Sequence, residues 1–121
     1  MANCPFCELP AERIVAQGET LVAVRDHHPV NEGHTLIIPK RHLESPFEYT
    51  EAEWSEMRTM LQDIQRRLAD EFNPDGFNVG MNVGDSAGQN VAHTYVHVIP
   101  RYEGDHPAPQ GGVRHVIPHR R

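Results

Sequence analysis

Positive charge is scarce in this chain of 121 residues, which has 11 lysines and arginines against 17 aspartates and glutamates and a formal net charge of −6. This balance provides no electrostatic footprint for a long nucleic acid, so an anionic ligand would have to be held by local hydrogen-bond donors. Apolar runs long enough for a membrane span are missing too. The first residues show neither the charged nor the apolar region of a signal peptide, and we expect a cytoplasmic protein with no membrane partner.

Cysteine is almost absent: the chain has two, Cys4 and Cys7, in a Cys-x-x-Cys spacing. Without an export signal a structural disulfide is disfavoured, which leaves a metal site or a redox pair. A lone Cys-x-x-Cys is a weak signal, and on the residues alone both alternatives stay open.

Internal repeats, low-complexity segments and interdomain linkers are missing as well. With 38% hydrophobic and 23% charged residues, the length predicts one globular domain over residues 1–121. It includes the short Cys-x-x-Cys segment, residues 1–8. The end of the chain, residues 104–121, is rich in proline, glycine and histidine and predicts an irregular tail.

Short apolar runs predict five strands. Residues 12–16 and 20–25 each show apolar alternation, and the turn candidate Gln17-Gly18-Glu19 between them indicates a β-hairpin. The other predicted strands are residues 35–39, 77–83 and 91–101.

One long helix is predicted after Thr50. Thr50 and Glu53 have the spacing of a capping box, in which two side chains satisfy free amides at the start of a helix. Apolar residues then recur with helical period and predict a buried face made of Trp54, Met57, Leu61, Ile64, Leu68 and Phe72. The run Asn73-Pro74-Asp75-Gly76 ends the helix. The predicted fold class is therefore α+β, a mostly antiparallel sheet of about five strands with one long helix on one face.

Three ring side chains alternate in the last predicted strand. In an extended strand, side chains two positions apart share a face, so His93, Tyr95 and His97 form a row of rings with polar edges. The preceding turn, residues 84–90, contains glycines that allow positive φ, and successive N–H groups in such a turn form an anion-binding nest. Taken alone, this turn would be an ordinary hairpin loop; the row of rings beside it favours a phosphate site.

The run Gly88-Gln89-Asn90-Val91-Ala92-His93-Thr94-Tyr95-Val96-His97 resembles the signature of the histidine-triad (HIT) nucleotide hydrolases and transferases. That signature alternates three histidines with apolar residues. His93 and His97 correspond to the first and third histidines, and Tyr95 stands where the family has its central, nucleophilic histidine. The resemblance implies the α+β layout above, a purine nucleotide as ligand and pairing into homodimers.

The resemblance also implies a nucleotide site. Asp26 stands where the family binds the ribose hydroxyls, with a turn-capping role as the alternative, and His27 follows where a residue packs on the base. The phosphate-binding positions that it implies are His34, Asn82, Gly88, Gln89, Asn90 and His97. Tyr95, His97 and Gln89 make up the implied catalytic group.

A structural zinc site is implied by one branch of the same family. Its ligands correspond to Cys4, Cys7, His42 and His93. Two thiolates and two imidazoles form a closed site without an open position for water, so His93 would be structural rather than catalytic. The alternative is a pair of free or redox-active thiols.

Tyr95 governs what activity we expect. In the family reaction the central imidazole attacks the α-phosphate of a dinucleoside polyphosphate or a nucleoside phosphoramidate, and water or another acceptor then releases the mononucleotide. A phenol with a pKa near 10 is ionised in only about one molecule in a thousand at neutral pH. Three hypotheses follow: an enzyme that carries an engineered substitution, a natural nucleotide-binding or sensor module with a structural zinc and little turnover, and altered chemistry in which Tyr95 is a nucleophile or proton donor.

Overall fold

Five strands form one antiparallel sheet in the computed structural model, which describes residues 4–118. They are β1 (Ile14–Gln17), β2 (Leu21–Arg25), β3 (Thr35–Pro39), β4 (Gly76–Gly80) and β5 (Val96–Arg101), in the spatial order β1-β2-β3-β5-β4. The single long helix, α1 (Glu51–Phe72), follows β3 in the chain and packs on one face of the sheet. The predicted α+β class is confirmed.

The sheet carries an apolar cluster on each face. The cluster under α1 includes Leu21, Ala23, Ile37, Ile64 and Leu68. The cluster on the opposite face consists of Val22, Val24, Leu36 and Ile38, covered by Phe6, Leu9, Ile14 and Tyr95. Successive residues of β2 and β3 contribute to opposite clusters, because side chains alternate across a strand. Both faces are therefore buried, and the N-terminal segment helps to cover the second one.

The helix begins and ends as predicted. The hydroxyl of Thr50 accepts a hydrogen bond from the Glu53 amide at 3.1 Å, and the Glu53 carboxylate accepts one from the Thr50 amide at 2.8 Å. Asn73 ends the helix with a φ of 50°, a left-handed conformation that asparagine tolerates. The capping box is thus complete.

The predicted buried face of α1 is wrong at one position and incomplete at another. Trp54 is 41% exposed and leans edge-on against Tyr49, with ring centroids 4.9 Å apart. Met60, which the predicted face did not include, is buried in the core under the helix. The buried stripe therefore runs along Met57, Met60, Ile64 and Leu68, and Trp54 in the first turn lies beside that stripe.

The last strand is shorter than predicted, because β5 begins at Val96 rather than at residue 91. The chain before it bends, and the Thr94 amide donates to the Leu43 carbonyl at 2.6 Å instead of joining the sheet. His93 lies in this segment and is fully buried, and its ring packs near Phe6, as the Tyr95 ring does. Tyr95 and His97 still share the half-buried face, since the even-numbered residues from Val96 to Pro100 are the buried ones. Strand β4 likewise ends at Gly80, not at residue 83.

The tail folds back on the sheet. A short 3-10 turn, Gly112–Val116, lies beside β4, and a Cβ atom at Gly112 would come within 3.3 Å of the Asn78 side-chain nitrogen. Apart from that turn, residues 104–118 contain no helix or strand, and residues 119–121 of the predicted tail lie outside the described residues. Within the part of the chain that is described, no helix has the length and apolar character to cross a membrane.

Candidate functional site

A cleft of about 580 Å³ opens beside the junction of β4 and β5. His34, at the start of β3, and His97, on β5, form one wall, and Asn82 lies just beyond the end of β4. The opposite wall comes from Val113 and Val116 of the tail. Three of the predicted phosphate-binding residues therefore line one cavity.

Hydrogen bonds fix the protonation of the two histidines in this cleft. The Val30 amide donates to His34 Nδ1 at 3.0 Å, so the proton of neutral His34 is on Nε2. That Nε2–H lies 2.9 Å from His97 Nδ1 and donates to it. His97 Nδ1 is then an acceptor, and its own proton is on Nε2. We call this chain of Val30, His34 and His97 the imidazole relay; it leaves the His97 Nε2–H as a donor for a ligand oxygen.

Burial keeps the relay neutral. Burial lowers the pKa of His34 and also of His97, while the nearby Asp26 carboxylate pulls both pKa values the other way. Since a protonated His34 would carry hydrogen on Nδ1, facing the Val30 amide, the geometry disfavours that form as well. Both rings are therefore neutral imidazoles at pH 7.

The relay histidines and Asp26 are residue types that bind metals, but the His34 nitrogen that faces the other two carries a proton instead of a lone pair. Ligand atoms of Asp26, His34 and His97 all lie within 4.8 Å of one another, and the Asp26 carboxylate is 3.5 Å from His34 Nε2. However, a metal ligand must offer a lone pair, and the Val30 amide forces the His34 proton onto the very nitrogen that faces the cluster. This cluster is therefore a hydrogen-bond chain rather than a cation site.

The relay predicts how stability depends on pH. Below about pH 6.5 the unfolded chain protonates these histidines while the folded protein, with its lowered pKa values, does not, so the free energy of unfolding falls as the pH falls. One proton corresponds to about 1.4 kcal/mol per pH unit at most. We expect His34→Asn, which keeps an acceptor for the Val30 amide, to flatten this slope in urea titrations between pH 5 and 7. The exposed control His28→Asn should leave it unchanged; equal slopes for wild type and His34→Asn would contradict the prediction.

The two carboxylate oxygens of Asp26 have different neighbours. One carboxylate oxygen accepts from the His28 amide at 2.9 Å, which is the turn-capping role named as the alternative, and the other oxygen faces His34. Each oxygen retains lone pairs for hydroxyl donors. The neighbouring His27 is exposed. The ribose and base roles of these two residues stay predictions.

The predicted phosphate turn is held by Gln89. Its side-chain oxygen accepts from the Gly84 amide at 2.8 Å, and its side-chain nitrogen donates to the Glu44 carbonyl at 2.8 Å and to the Val91 carbonyl at 3.0 Å. Gly84 and Gly88 have φ values of 89° and 91°, which glycine adopts at no steric cost. The Gln89 amide is thus occupied in shaping the turn.

Gln89 and Asn90 lie in a neighbouring pocket of about 500 Å³, not in the cleft of the relay. Glu44, Glu48 and Asp85 also line that pocket. Asn82 links the two regions, because it lines the cleft and its side-chain nitrogen would lie 3.8 Å from a Cβ atom at Gly88. The roles of Gln89, Asn90 and Gly88 remain predictions.

Tyr95 lies next to the relay. Its ring centroid is 5.0 Å from that of His97 and 5.1 Å from that of Phe6, and the side chain is half-buried on the face opposite the helix. Burial, and then the Asp26 carboxylate, raise the pKa of Tyr95. Fewer phenol groups are ionised at pH 7 than in a free tyrosine, so the structure does not activate this residue as a nucleophile.

A second cluster, which we call the Cys–His cluster, consists of Cys4, Cys7, His42 and His93. His93 Nδ1 lies 3.4 Å from the Cys4 sulfur and 3.6 Å from the Cys7 sulfur, and His42 Nδ1 lies 3.2 Å from the Cys7 sulfur. In a tetrahedral zinc site, sulfur and nitrogen ligands are about 3.6 Å apart, given their usual bond lengths to the metal. The four side chains are thus spaced as zinc ligands.

The tautomer of His93 also suits a metal. Its Nε2 lies 2.8 Å from the Pro39 carbonyl oxygen, which can only accept, so Nε2 carries the proton. Nδ1 then presents its lone pair to the two sulfur atoms. A carbonyl partner on the far nitrogen is the usual support of a metal-bound histidine. The donor set therefore fits zinc.

Two participants were not predicted from the sequence: the Val30 amide and the Phe6 ring. The first is a main-chain group and carries no residue-type signal. The second meets the site only through tertiary packing. Phe6 has a weak signal, since it is the aromatic residue within the Cys-x-x-Cys motif.

Solved structures of known proteins share this fold. A crystal structure of a HIT family member from Bacillus subtilis superposes with a TM-score of 0.78 at 38% identity, covering 85% of this chain and 76% of the other. A Zn-bound histidine triad family protein from Mycobacterium smegmatis gives a TM-score of 0.76 at 33% identity, covering 88% and 81%.

Sequence comparisons also identify related proteins. The AP-4-A phosphorylase of Mycobacterium tuberculosis is 37% identical over 107 residues, or 84% of this chain, which spans only 55% of that relative. The family model described as HIT domain matches residues 8–104. Cys4, Cys7 and most of the tail lie outside that match. The chain belongs to the HIT domain family.

Proposed function

We propose that this protein binds purine nucleotides in the cleft of the imidazole relay and is a HIT-type hydrolase or nucleotidyl transferase acting at the α-phosphate. The substrate class is a dinucleoside polyphosphate or a nucleoside phosphoramidate. The observation that carries the proposal is the relay, which holds His97 neutral with its Nε2–H free to donate to a phosphate oxygen. The AP-4-A phosphorylase relative supports the polyphosphate half of this class.

In this proposal each residue in or beside the cleft has a defined task. His97 donates to the phosphate, and His34 holds the His97 ring and its tautomer. Asp26, which lies next to His34, accepts from the ribose hydroxyls, and Asn82, which lines the cleft, binds the phosphate. Tyr95 occupies the position of the attacking group, and its raised pKa makes turnover slow.

The Cys–His cluster is proposed to hold one structural zinc ion. The ligand spacing, the His93 tautomer and the Zn-bound relative support this assignment. When bound, zinc supplies a covalent-like anchor between the N-terminal segment and the sheet, and it leaves no open position for chemistry. His93 is then a structural residue, although it corresponds to a triad histidine.

A second candidate function is a nucleotide-binding or sensor module without catalysis. It is favoured by the raised pKa of Tyr95 and by the full engagement of the Gln89 amide within its own turn. Both functions share the cleft and differ only in turnover. The activity of a Tyr95→His variant separates them.

The remaining proposals concern the assembly. We propose a single domain over the chain, a cytoplasmic location and a homodimer. Strand β4 is an edge strand of the sheet, and Val79 on it and Met81 just after it are 42% and 37% exposed. Exposed apolar side chains on a sheet edge favour pairing with another copy.

Nucleotide binding is tested by titration calorimetry with AMP and GMP. We expect binding to the wild-type protein and a loss of at least about tenfold in affinity for His97→Ala, because a buried hydrogen bond to a charged phosphate is lost. His28→Ala changes an exposed histidine that does not line the cleft; it is the matched control and should bind like wild type. No heat and no thermal shift with either nucleotide would rule the proposal out.

A further inference from the structure

Four rings form a continuous series between the Cys–His cluster and the end of the relay. The ring centroids of Phe6 and Tyr95 are 5.1 Å apart, those of Tyr95 and His97 are 5.0 Å apart, and those of His97 and His34 are 5.1 Å apart. These distances fall within the range in which aromatic rings attract each other. We call this series the ring ladder. It connects two sites that the sequence places in unrelated segments.

Phe6 is the end of the ring ladder that lies next to the Cys–His cluster, and its position depends on Cys4 and Cys7. It lies between Cys4 and Cys7 in a turn that is closed by a hydrogen bond from the Cys7 amide to the Cys4 carbonyl at 3.2 Å. Its ring also stands edge-on to His93, with centroids 6.0 Å apart. A metal ion bound by both sulfur atoms would therefore also hold the Phe6 ring against Tyr95.

The main chain next to Tyr95 is held by a different contact. The Thr94 amide donates to the Leu43 carbonyl, and the Leu43 side chain is buried in the core under the helix. Leu43 and Thr94 directly follow His42 and His93 of the cluster, and the buried Leu43 side chain also ties this contact to the core. The Tyr95 ring is half-buried and contacts Phe6 and His97. Phe6 is thus the side chain through which the Cys4–Cys7 turn reaches the Tyr95 ring.

We propose that Phe6 is a positioning residue that couples metal occupancy of the Cys–His cluster to ligand binding in the cleft. With the metal bound, Phe6 holds the Tyr95 ring edge-on to His97, and His97 keeps its orientation toward the phosphate. Without the metal, the Cys4–Cys7 turn releases Phe6 and the Tyr95 ring moves. Because coupling between two sites is reciprocal, a bound nucleotide also retains the metal. The ligand in this inference rests on the proposed function.

The test uses the zinc-loaded protein and three variants. Phe6→Ala removes the ring, Phe6→Tyr keeps it, and Leu9→Ala shortens another half-buried residue on the same apolar cluster without touching the ladder. For each protein we would measure zinc content, AMP affinity, the rate of zinc transfer to a chromogenic chelator with and without AMP, and the aromatic NMR signals of Tyr95 and His97.

We expect AMP to slow zinc transfer from the wild-type protein about fivefold or more, the lower range of allosteric coupling. Phe6→Ala should bind one zinc, shift the Tyr95 and His97 signals, weaken AMP binding about fivefold and lose the effect of AMP on zinc transfer. Phe6→Tyr and Leu9→Ala should behave like wild type in all four measurements. If AMP does not change zinc transfer from wild type, or if Phe6→Ala retains that effect, the coupling is refuted.

Failure of this inference is distinguishable from failure of the proposed function. If the wild-type protein does not bind AMP, the proposed function fails, and the NMR signals then decide the positioning role. Tyr95 and His97 signals that shift in Phe6→Ala and not in Leu9→Ala support the role of Phe6. Signals that stay in place in Phe6→Ala, or that move equally in Leu9→Ala, overturn it.

Discussion

Replacing Tyr95 with histidine is expected to raise hydrolysis of adenosine phosphoramidate and of a diadenosine polyphosphate by at least about a hundredfold. A neutral imidazole is a competent nucleophile at pH 7, whereas fewer than about one in a thousand of the Tyr95 phenols is ionised, since burial raises the pKa. The rest of the cleft is already in place, because His34 and His97 are neutral and oriented. The measurement is the release of AMP by both proteins over a small panel of nucleotide substrates.

Tyr95→Phe is the matched control, because it removes only the hydroxyl and keeps the ring between Phe6 and His97. We expect it to show the same low rate as the unsubstituted protein. If Tyr95→Phe instead abolishes a measurable activity, the hydroxyl takes part in the chemistry and the altered-chemistry hypothesis is correct. Equal rates for the unsubstituted protein and the Tyr95→His variant would leave the binding module as the function.

With zinc in the Cys–His cluster as proposed, we expect its removal to lower the midpoint of thermal unfolding by at least about 10 °C. A ligand present at a thousand times its dissociation constant stabilises a protein by about 4 kcal/mol, and each kcal/mol shifts the midpoint by several degrees in a domain of this size. The Cys–His cluster draws its ligands from the N-terminus, the loop after β3 and the bend before β5, so its loss frees three segments together. Calorimetry before and after chelator treatment measures the change.

Metal analysis should find one zinc per chain in protein purified without chelator, and Cys7→Ser should lose it. His106→Ala, which changes a histidine outside the cluster, should retain both the metal and the unfolding midpoint. The redox alternative makes the opposite prediction, namely a Cys4–Cys7 disulfide that forms reversibly under mild oxidant in protein without metal. Zinc-free protein with an unchanged midpoint would refute the structural zinc.

The elements with strong local signals were predictable from the sequence. The helix carries its own capping box and ends at Asn73, as the motif Asn-Pro-Asp-Gly indicates. Strands β2 and β3 are short apolar runs whose residues alternate between two buried clusters. In each case the information lies within a few neighbouring residues.

The predicted start of the last strand was wrong because it depends on contacts between residues that are distant in sequence. The segment from Val91 to Tyr95 has strand-like alternation, but His93 is drawn into the Cys–His cluster and the chain bends to allow it. Three main-chain groups engage the Gln89 amide, and none of them can be identified from the residue type; its phosphate-binding role stays a prediction. Tertiary partners, which a sequence pattern does not contain, decide such contacts.

The relay starts at the Val30 peptide N–H, so it does not depend on the side chain at residue 30. The Val30 side chain is 68% exposed, while its amide sets the tautomers of His34 and His97. Almost any amino acid there would supply the same hydrogen, and proline alone would remove it. The tautomers of the two imidazoles thus depend on the backbone conformation at residue 30, and most substitutions there would leave them unchanged.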